Sequence, residues 1–348
     1  MSGIRIRRDG RTGRITLTRP EALNALTHEM CLAIDAALIG WSADADVALV
    51  LIDAEGERAF CAGGDIAMLH ATGSRGDLAF GRRFWRDEYR MNARIAAYAK
   101  PIVSLMQGFA MGGGVGLGCH ASVRLVGDTS RLAMPECSIG LVPDVGGSLL
   151  LARAPGATGR FLGLTGARMG PGCAIFAGFA DYYLPEADWP ELVAALVRSG
   201  DATRVAQRAV APPESPLAGQ LGAIASVFLG DSPGDIFRRL VGASGGWAEL
   251  ARRALARNSP LSMACALEMQ KRMTGAADIR DALRLEYRFT HRAMEQGDFI
   301  EGVRAAIIDR DNAPRWRHGC AEAVSPDEVA AMLAPLGAEE WTMGEDRP

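Results

Sequence analysis

In the first 55 residues, the pattern of apolar and polar positions predicts a strand, a helix and a second strand. Residues 14–18 (RITLT) alternate as in a half-buried strand. Residues 24–39 carry apolar side chains at every fourth position, with Thr27 as a candidate N-cap. Residues 47–52 (VALVLI) form a continuous apolar run, which is typical of a strand buried on both faces.

The same alternation continues along the chain. Residues 102–106 and 122–126 have strand patterns, and the glycine-rich run 112–118 between them opens a predicted helix. Because strand and helix units alternate, the sequence predicts an α/β fold. After about residue 185, strand-like runs nearly vanish and prolines separate helical patterns, among them residues 277–296 and a terminal helix that starts at the capping box Ser325–Glu328. We therefore divide the chain into an α/β core at 1–200 and a helical C-terminal region at 201–348.

Composition excludes several classes of function. The 348 residues are 49% hydrophobic, and 38 basic against 41 acidic residues leave a net charge of −3, so neither nucleic acid nor an anionic membrane is an expected partner. The two lysines, Lys100 and Lys271, lie outside any Gly-Lys-Ser/Thr context, which excludes a P-loop. No apolar run approaches the roughly 20 residues of a membrane span, and the first residues lack the apolar stretch of a signal peptide.

Cysteine and histidine usage indicates the compartment and argues against a metal. The seven cysteines are odd in number and include no CxxC pair, which favours reduced thiols and a cytoplasmic location. The five histidines do not have metal-ligand spacing, so no metal is expected. We expect Cys61, Cys119 and Cys137 to be buried apolar side chains rather than nucleophiles, because no histidine is suitably placed beside them.

Three segments could carry chemistry. Residues 60–65 (FCAGGD) are small enough for a ligand to reach the backbone N–H groups, although a glycine turn with Asp65 as a helix N-cap is the simpler alternative. Residues 111–118 (MGGGVGLG) place glycines at a helix start, where N–H groups and the helix dipole favour an anion. Residues 133–147 (AMPECSIGLVPDVGG) place Glu136 and Asp144 in an apolar stretch; solvated turn and N-cap acids would look the same, but buried acids are costly unless paired or used.

Two other motifs are weaker. Gly116, Gly118 and Ala121 match a loose dinucleotide-binding pattern, but no strand directly precedes them. Residues 242–246 (GASGG) match the nucleophile elbow of α/β-hydrolases, but a predicted helix at 235–241 stands where that motif requires a strand. Neither nucleotide binding nor serine hydrolysis is therefore favoured.

In combination, these segments resemble the crotonase (enoyl-CoA hydratase/isomerase) superfamily, and in particular its 3-hydroxyisobutyryl-CoA hydrolase branch. The resemblance implies an α/β fold built as a spiral of ββα turns followed by helices. It also implies an acyl-CoA thioester as the ligand, and no cofactor, because CoA is part of the substrate. The resemblance runs through most of the chain in RPEALNAL (19–26), FCAGGDI (60–66), RDEY (86–89), MGGGVGLG (111–118), AMPECSIGLVPDVGG (133–147), LTG (164–166), AG (177–178), EYR (286–288) and DFIEGVRAAIIDRDNAPRW (298–316).

The resemblance also implies roles for individual residues. By motif position, the backbone N–H groups of Gly64 and Gly113 would form an oxyanion hole for the thioester oxygen. Glu136 and Asp144 would be the catalytic carboxylates. Glu88 would shape the acyl pocket, and the segments around Asn24 and Ala62 would hold the CoA part, so that the expected substrate-binding residues are Glu88, Asn24, Ala62, Asp65 and Ile66.

Two departures from the family pattern point to the reaction, and one of them is that the hydratase glycine in the P-G-x-G-G segment is Asp144 here. Enoyl-CoA hydratases use two glutamates, and the position of the first, three residues after the oxyanion glycine, is Gly116 here; the second is kept as Glu136. This favours hydrolysis of a short 3-hydroxyacyl-CoA, above all 3-hydroxyisobutyryl-CoA as in valine catabolism. Glu136 would act as a general base or as a nucleophile. An enoyl-CoA hydratase or isomerase, a non-catalytic acyl-CoA-binding or RNA-binding relative, and a homo-oligomeric assembly all stay open.

Overall fold

Two sheets organise the first half of the chain. The computed structural model describes residues 3–344. In that range the strands are β1 (Ile4–Asp9), β2 (Thr12–Leu17), β3 (Leu49–Ala54), β4 (Ala59–Cys61), β5 (Ile102–Met106), β6 (Phe109–Met111), β7 (Val123–Val126), β8 (Arg131–Ala133) and β9 (Tyr182–Tyr183).

The chain winds as a spiral that supplies one strand to each sheet in every turn. The larger sheet has the order β1-β2-β3-β5-β7-β9, and the smaller has the order β4-β6-β8. Strands β1 and β2 are antiparallel, and every other neighbouring pair is parallel. Thus β3 is followed by β4, β5 by β6, and β7 by β8. This is the α/β fold that the strand and helix pattern predicts, arranged in the spiral that the family resemblance implies.

Helices follow the strands and then take over the chain. The longest described helix, α3, carries nineteen residues and packs against both α1 and α15. The helices are α1 (His28–Ser42), α2 (Ile66–Gly73), α3 (Leu78–Ala96), α4 (Gly113–Gly118), α5 (Gly147–Arg153), α6 (Thr158–Thr165), α7 (Pro171–Phe176), α8 (Trp189–Ser199), α9 (Thr203–Arg208), α10 (Pro216–Gly219), α11 (Leu221–Phe228), α12 (Pro233–Leu240), α13 (Gly246–Arg257), α14 (Pro260–Arg272), α15 (Ile279–Gln296), α16 (Phe299–Val303) and α17 (Pro326–Met332).

The small sheet brings three loops to one edge. In its register, Phe109 pairs with Ala59 and Arg131, and Met111 pairs with Ala133. Because the three strands are parallel, the chain leaves β4, β6 and β8 on the same side. The segments that begin at residues 62, 112 and 134 therefore lie side by side, although about 70 residues of sequence separate the first from the last.

Several predicted elements are confirmed. The strand predicted at 102–106 is β5, and Thr27 caps α1 by accepting a hydrogen bond from the Met30 N–H at 3.2 Å. The capping box at Ser325 is present. Helix α1 begins at His28, directly after the predicted N-cap, while Leu23 and Asn24 at the start of the apolar stripe have left-handed backbone angles in a short turn.

A continuous apolar core joins the helices after residue 200 to the spiral. Its members come from both regions, among them Phe60, Phe161, Phe228, Leu283 and Phe299. The proposed boundary at residue 200 stays a prediction. Within residues 3–344, no helix combines the length and the apolar character that a membrane crossing requires.

Gly114 allows helix α4 to lie directly against the end of β4. A Cβ atom at Gly114 would lie 2.1 Å from the Cys61 carbonyl oxygen. We therefore expect G114A to lower the free energy of unfolding by about 2–3 kcal/mol, since a backbone contact cannot relax as a flexible side chain does. The matched control is G222A in α11, where a Cβ would meet nothing within 4 Å and helix propensity should add about 0.5–1 kcal/mol. Urea unfolding measures both, and equal effects would contradict the prediction.

Candidate active site

A cavity of about 220 Å³ opens at the shared edge of the small sheet. One part of its wall is apolar and the other holds backbone amides and carboxyl groups. Of the described residues that line it, none is a lysine, arginine or histidine. The lining residues are Ala62, Gly63, Gly64, Ile66, Leu69, Phe84, Trp85, Glu88, Gly112, Gly113, Pro135, Glu136, Ser138, Ile139, Leu141, Asp144, Val145 and Ile307.

The Gly64 amide is held in place by the hydrogen bonds of its neighbours. The Leu26 N–H donates to the Gly63 carbonyl at 2.9 Å, and the Asp65 N–H donates to the Leu26 carbonyl at 2.8 Å. These bonds fix the segment after β4 against the loop before α1. No acceptor in the described part of the chain takes the Gly64 N–H, so this group is free to bind a ligand.

The second free amide belongs to Gly113, the first residue of α4. The N–H of a first helical residue has no partner within its own helix. A Cβ atom at Gly113 would lie 3.3 Å from the Gly64 nitrogen and 2.7 Å from Glu88 Oε1. The two amides are therefore neighbours, and glycine at position 113 leaves room for the Glu88 carboxyl group beside them.

Three carboxyl groups come together in this cavity from three parts of the chain. Glu88 lies on α3, Glu136 begins the short 3-10 turn Glu136–Ile139, and Asp144 precedes α5. Their exposed fractions are 2%, 4% and 4%. Glu88 Oε1 and Glu136 Oε2 have no hydrogen-bond partner in the described structure, and both belong to cavity-lining residues. The cavity therefore contains buried acceptors that a ligand can satisfy.

Burial changes the acidity of all three groups. It raises the pKa of Glu88 and of Glu136 well above the usual range, and the nearby charge of Asp144 raises both further. Burial also raises the pKa of Asp144, to about 7, although the Tyr89 hydroxyl opposes the shift by donating to Asp144 Oδ2 at 2.7 Å. At neutral pH the cavity therefore holds acidic protons and an ionised carboxylate together, which is the combination that acid–base catalysis requires.

The structure brings most of the predicted site residues together. Gly64, Gly113, Glu88, Glu136 and Asp144 all line the one cavity. Two of the residues expected to bind the substrate, Ala62 and Ile66, also line this cavity. Both belong to the stretch that leads from β4 into α2.

Asn24 and Asp65 do not line the cavity. The Asn24 amide nitrogen donates to the Glu55 and Ala59 carbonyls at 2.9 Å each, and its oxygen accepts from the Arg19 N–H at 2.8 Å. Asp65 caps α2, the simpler alternative considered for it, and forms an ion pair with Arg19 at 3.3 Å. Both side chains stabilise the loops beside the site, and their role in substrate binding stays a prediction.

Two buried residues at the site have no assigned role in the sequence analysis. Tyr89 donates to Asp144, and Glu286 on α15 accepts from the Gly146 N–H at 2.7 Å and from the Ser148 N–H at 2.9 Å. Burial raises the pKa of Glu286 to about 8. Helical spacing could have found Glu286, because it lies three residues from both Leu283 and Phe289 and therefore shares their buried face.

The three cysteines close to the site in sequence are buried, as predicted. Cys61, Cys119 and Cys137 are buried, and burial raises the pKa of the first two thiols to about 12 and that of Cys137 well above its usual value. Ser244 follows α12 rather than a strand, and Gly116 lies inside α4. Among residues 3–344, no group of three or more His, Cys, Asp or Glu side chains is arranged to hold a metal ion.

Known proteins with similar sequences cover nearly the whole chain. The sequence pattern of the family described as "Enoyl-CoA hydratase/isomerase" matches residues 12–333. The protein named "3-hydroxyisobutyryl-CoA hydrolase, mitochondrial" from Gallus gallus is 35% identical over 345 residues, which cover 96% of this chain and 89% of that protein.

Two solved structures share the complete architecture. An enoyl-CoA hydratase from Rhodobacter sphaeroides 2.4.1 is 61% identical with a TM-score of 0.95, over 98% of this chain and 100% of that one. A carnitinyl-CoA dehydratase from Mycobacterium thermoresistibile is 40% identical with a TM-score of 0.94, over 99% of both chains.

The raised pKa of Asp144 predicts a pH-dependent difference in stability between the wild type and D144N. The unfolded chain releases this proton near pH 4 and the folded protein near pH 7, so the stability that protonated Asp144 contributes is present below pH 4 and is lost as the pH rises to 7. Asparagine does not titrate and can still accept from Tyr89. Between pH 4 and 8, D144N should therefore gain stability relative to the wild type by up to about 4 kcal/mol in urea unfolding.

D128N is the control of opposite sign. Hydrogen bonds from Tyr183 and the Glu186 N–H lower the pKa of the exposed Asp128, so its contribution to stability is lost as the pH falls. The stability of D128N relative to the wild type should accordingly decrease as the pH rises to about 5 and then stay level up to pH 8, because the unfolded chain releases this proton near pH 4. If the D144N and wild-type curves run parallel from pH 4 to 8, Asp144 does not hold its proton in the folded protein.

Proposed function

Because the chain belongs to the enoyl-CoA hydratase/isomerase family, we propose that it hydrolyses the thioester of a short 3-hydroxyacyl-CoA, with 3-hydroxyisobutyryl-CoA as the preferred substrate. The products are 3-hydroxyisobutyrate and CoA. The name of the Gallus gallus relative supports this choice of acyl group. The arrangement of the cavity supports the reaction type, because two free amides lie beside three carboxyl groups.

The choice of hydrolysis over hydration rests on one observation, which is that no side chain fits at position 116. A Cβ atom there would lie 2.7 Å from the Val145 Cβ and 2.8 Å from Asn92 Nδ2. The position where the hydratases of this family have their first glutamate is therefore filled by neighbouring side chains. In these hydratases, addition of water across a double bond uses both glutamates, whereas attack on a thioester carbonyl needs one base or nucleophile beside an oxyanion hole.

The first step places the thioester carbonyl oxygen between the Gly64 and Gly113 N–H groups. Two fixed donors aimed at a developing oxyanion can lower the barrier by about 3–4 kcal/mol, because they are already oriented when the charge forms. No cationic side chain lines the described cavity, so these amides supply the positive potential. Because no cation in the lining stabilises the ionised forms, the buried Glu88 and Glu136 carboxyl groups retain protons at neutral pH.

In the water route, Glu136 acts as the general base. A water oxygen bonds to the carbonyl carbon while its proton passes to the Glu136 carboxylate. The carbon–sulfur bond then breaks, and the departing thiolate takes a proton from the carboxyl pair that Glu136 forms with Asp144. Because the charges of Glu136 and Asp144 interact, protonation of Asp144 lowers the pKa of Glu136 and favours the ionised Glu136 that this route requires.

In the anhydride route, the Glu136 carboxylate oxygen itself bonds to the carbonyl carbon. The departing thiolate takes a proton from the Asp144 carboxyl group, and a mixed anhydride joins the acyl group to the enzyme. Water then bonds to the Glu136 carbonyl carbon of the anhydride, its proton returns to Asp144, and Glu136 is regenerated with one oxygen from water as 3-hydroxyisobutyrate leaves. Both routes use the same oxyanion hole, and both keep Asp144 available to orient the 3-hydroxyl group or the attacking water.

The walls of the cavity suit a small branched acyl group that carries one hydroxyl. Phe84, Trp85 and Leu141 supply apolar surface for methyl and methylene groups. Glu88 offers an unpaired buried oxygen that can accept a hydrogen bond from a hydroxyl. A longer acyl chain would exceed a volume of about 220 Å³ once the thioester is in place.

The proposal extends to the biological setting. A role in valine catabolism follows from the acyl group, and CoA serves as part of the substrate rather than as a separate cofactor. A cytoplasmic location and assembly into homo-oligomers stay predictions. Cell fractionation would test the first, and light scattering of the purified protein would test the second.

Enoyl-CoA hydration is the second candidate function. The Rhodobacter sphaeroides structure, at 61% identity, is described as an enoyl-CoA hydratase, and this description favours hydration for the present chain as well. The crowded surroundings of Gly116 argue against it. The two activities differ in their products, so they can be measured separately on one preparation.

We expect E136Q to lose at least about 100-fold in kcat for 3-hydroxyisobutyryl-CoA, because glutamine can neither remove a proton nor attack the carbonyl carbon. Release of free thiol measures the rate. E268Q, which changes a surface ion pair with Arg272, is the matched control and should keep the wild-type rate. Full activity of E136Q would remove Glu136 from the mechanism.

The two routes leave different isotope patterns. After repeated turnover in water enriched with oxygen-18, the anhydride route predicts label in the peptide that contains Glu136, detected by mass spectrometry. The water route predicts label in 3-hydroxyisobutyrate alone. Wild-type protein kept in the same water without substrate reports exchange that does not depend on turnover.

A substrate panel separates hydrolysis from hydration. We expect thiol release from 3-hydroxyisobutyryl-CoA and 3-hydroxypropionyl-CoA, and no loss of the conjugated absorbance of a 2-enoyl-CoA. Thiol release should fall at least tenfold for acyl chains of eight carbons, because they do not fit the cavity. Rapid loss of enoyl absorbance with no thiol release would establish the hydratase instead.

A further inference from the structure

A buried carboxyl group from the C-terminal region holds the turn that carries Asp144. Glu286 is fully buried on α15 and accepts from the Gly146 N–H at 2.7 Å and from the Ser148 N–H at 2.9 Å. The Ser148 hydroxyl also donates to it. Three donors therefore converge on one carboxyl group, which lies about 140 residues further along the chain.

The turn between Asp144 and α5 has a backbone conformation that needs external support. Val145 has a φ of +54°, a left-handed angle that a β-branched residue rarely adopts. Such a conformation persists when surrounding contacts over-determine it. Two contacts supply this support. His120 Nε2 lies 2.7 Å from the Val145 carbonyl oxygen, and the Glu286 carboxyl group on α15 accepts a hydrogen bond from the N–H of the next residue, Gly146.

We propose that Glu286 is a positioning residue, which aims Asp144 into the cavity by holding the Gly146 and Ser148 backbone. This inference rests on the function proposed above and adds a role for the C-terminal helices in it. Glu286 itself does not line the cavity, so its effect on the reaction passes through Asp144. Both oxygens of Glu286 accept in the structure and all three described partners donate, so these hydrogen bonds favour the ionised carboxylate and oppose the rise in pKa that burial causes.

Glutamine at position 286 would disturb the turn without changing its size. One oxygen of the carboxyl group becomes an NH2 group, which would face an N–H group of Gly146 or of Ser148 as a second donor. At least one of the three hydrogen bonds is then lost, and the turn is free to relax toward an ordinary backbone conformation. Asp144 would move with it, while the oxyanion hole on α4 and the β4 loop would stay in place.

A double-mutant cycle tests whether Glu286 acts through Asp144. We expect E286Q to lower kcat for 3-hydroxyisobutyryl-CoA by 10- to 100-fold, with KM changed less than threefold. In the D144N background the same substitution should lower the remaining kcat less than threefold, because the residue that it positions is already disabled. Equal losses in both backgrounds would overturn the proposal, since a general structural defect does not depend on Asp144.

The control lies on the same helix. E295Q removes an exposed ion pair between α15 and Arg82 and should leave kcat and KM at their wild-type values. Where E286Q does not fold, S148A removes the hydroxyl donor alone and should give a smaller loss of kcat that again vanishes in the D144N background. A loss of the same size in both backgrounds would count against the proposal here too.

A second measurement does not depend on activity. The difference in stability between the wild type and D144N, followed from pH 4 to 8, reports how strongly the folded protein buries Asp144. In the E286Q background this pH-dependent difference should shrink to less than half, because a relaxed turn hydrates Asp144. An unchanged difference would overturn the positioning role.

The groups around Asp144 do not confuse this comparison. The charge of Asp144 raises the pKa of Glu88, Glu136 and Tyr89, so these groups contribute to each difference, but they contribute alike to the wild-type pair and to the E286Q pair and cancel when the two differences are compared. Glu286 itself has a pKa of about 8, so below pH 7 it is mostly protonated and its replacement by glutamine removes little charge. If the wild type releases no CoA from any acyl-CoA of the panel, the proposed function fails. The stability measurement then still decides whether Glu286 holds Asp144 in place.

Discussion

The close approach of helix α4 to the end of strand β4 is the contact on which the site depends. A Cβ atom at position 114 would overlap the Cys61 carbonyl oxygen, and a Cβ atom at position 113 would overlap the Glu88 carboxyl group. With glycine at both positions, the first N–H of α4 comes next to the Gly64 N–H. Any side chain there would separate the two amides, and the cavity would lose its donors while the rest of the spiral stayed intact.

The electrostatics of the cavity follow from what lines it. Glu88, Glu136 and Asp144 are buried together, and among the described lining residues no basic side chain balances them. Ionising all three would be costly, so protons are retained and the pKa values rise. This arrangement suits a ligand that brings little negative charge into the cavity and develops it on one oxygen during the reaction, next to the two free amides.

The C-terminal helices complete the site from outside the spiral. Ile307 contributes to the cavity wall, and Glu286 holds the backbone that follows Asp144. Helix α15 also packs along α3, the helix that carries Glu88 and Tyr89. Two of the three carboxyl groups therefore depend for their position on a helix that lies beyond residue 270.

The sequence by itself determined the alternation of strands and helices, because residue type and spacing are written along the chain. Its resemblance to the crotonase family pointed to Gly64, Gly113 and the three carboxyl groups that line the cavity. The sequence did not reveal β4, β6 and β8, since three-residue strands are too short to show a period. Only the tertiary structure decided that Asn24 and Asp65 stabilise loops instead of lining the cavity. The hydrogen bonds of Glu286 with Gly146 and Ser148 could also be found only in the tertiary structure. Contacts between residues about 140 positions apart arise from packing and leave no local pattern in the sequence.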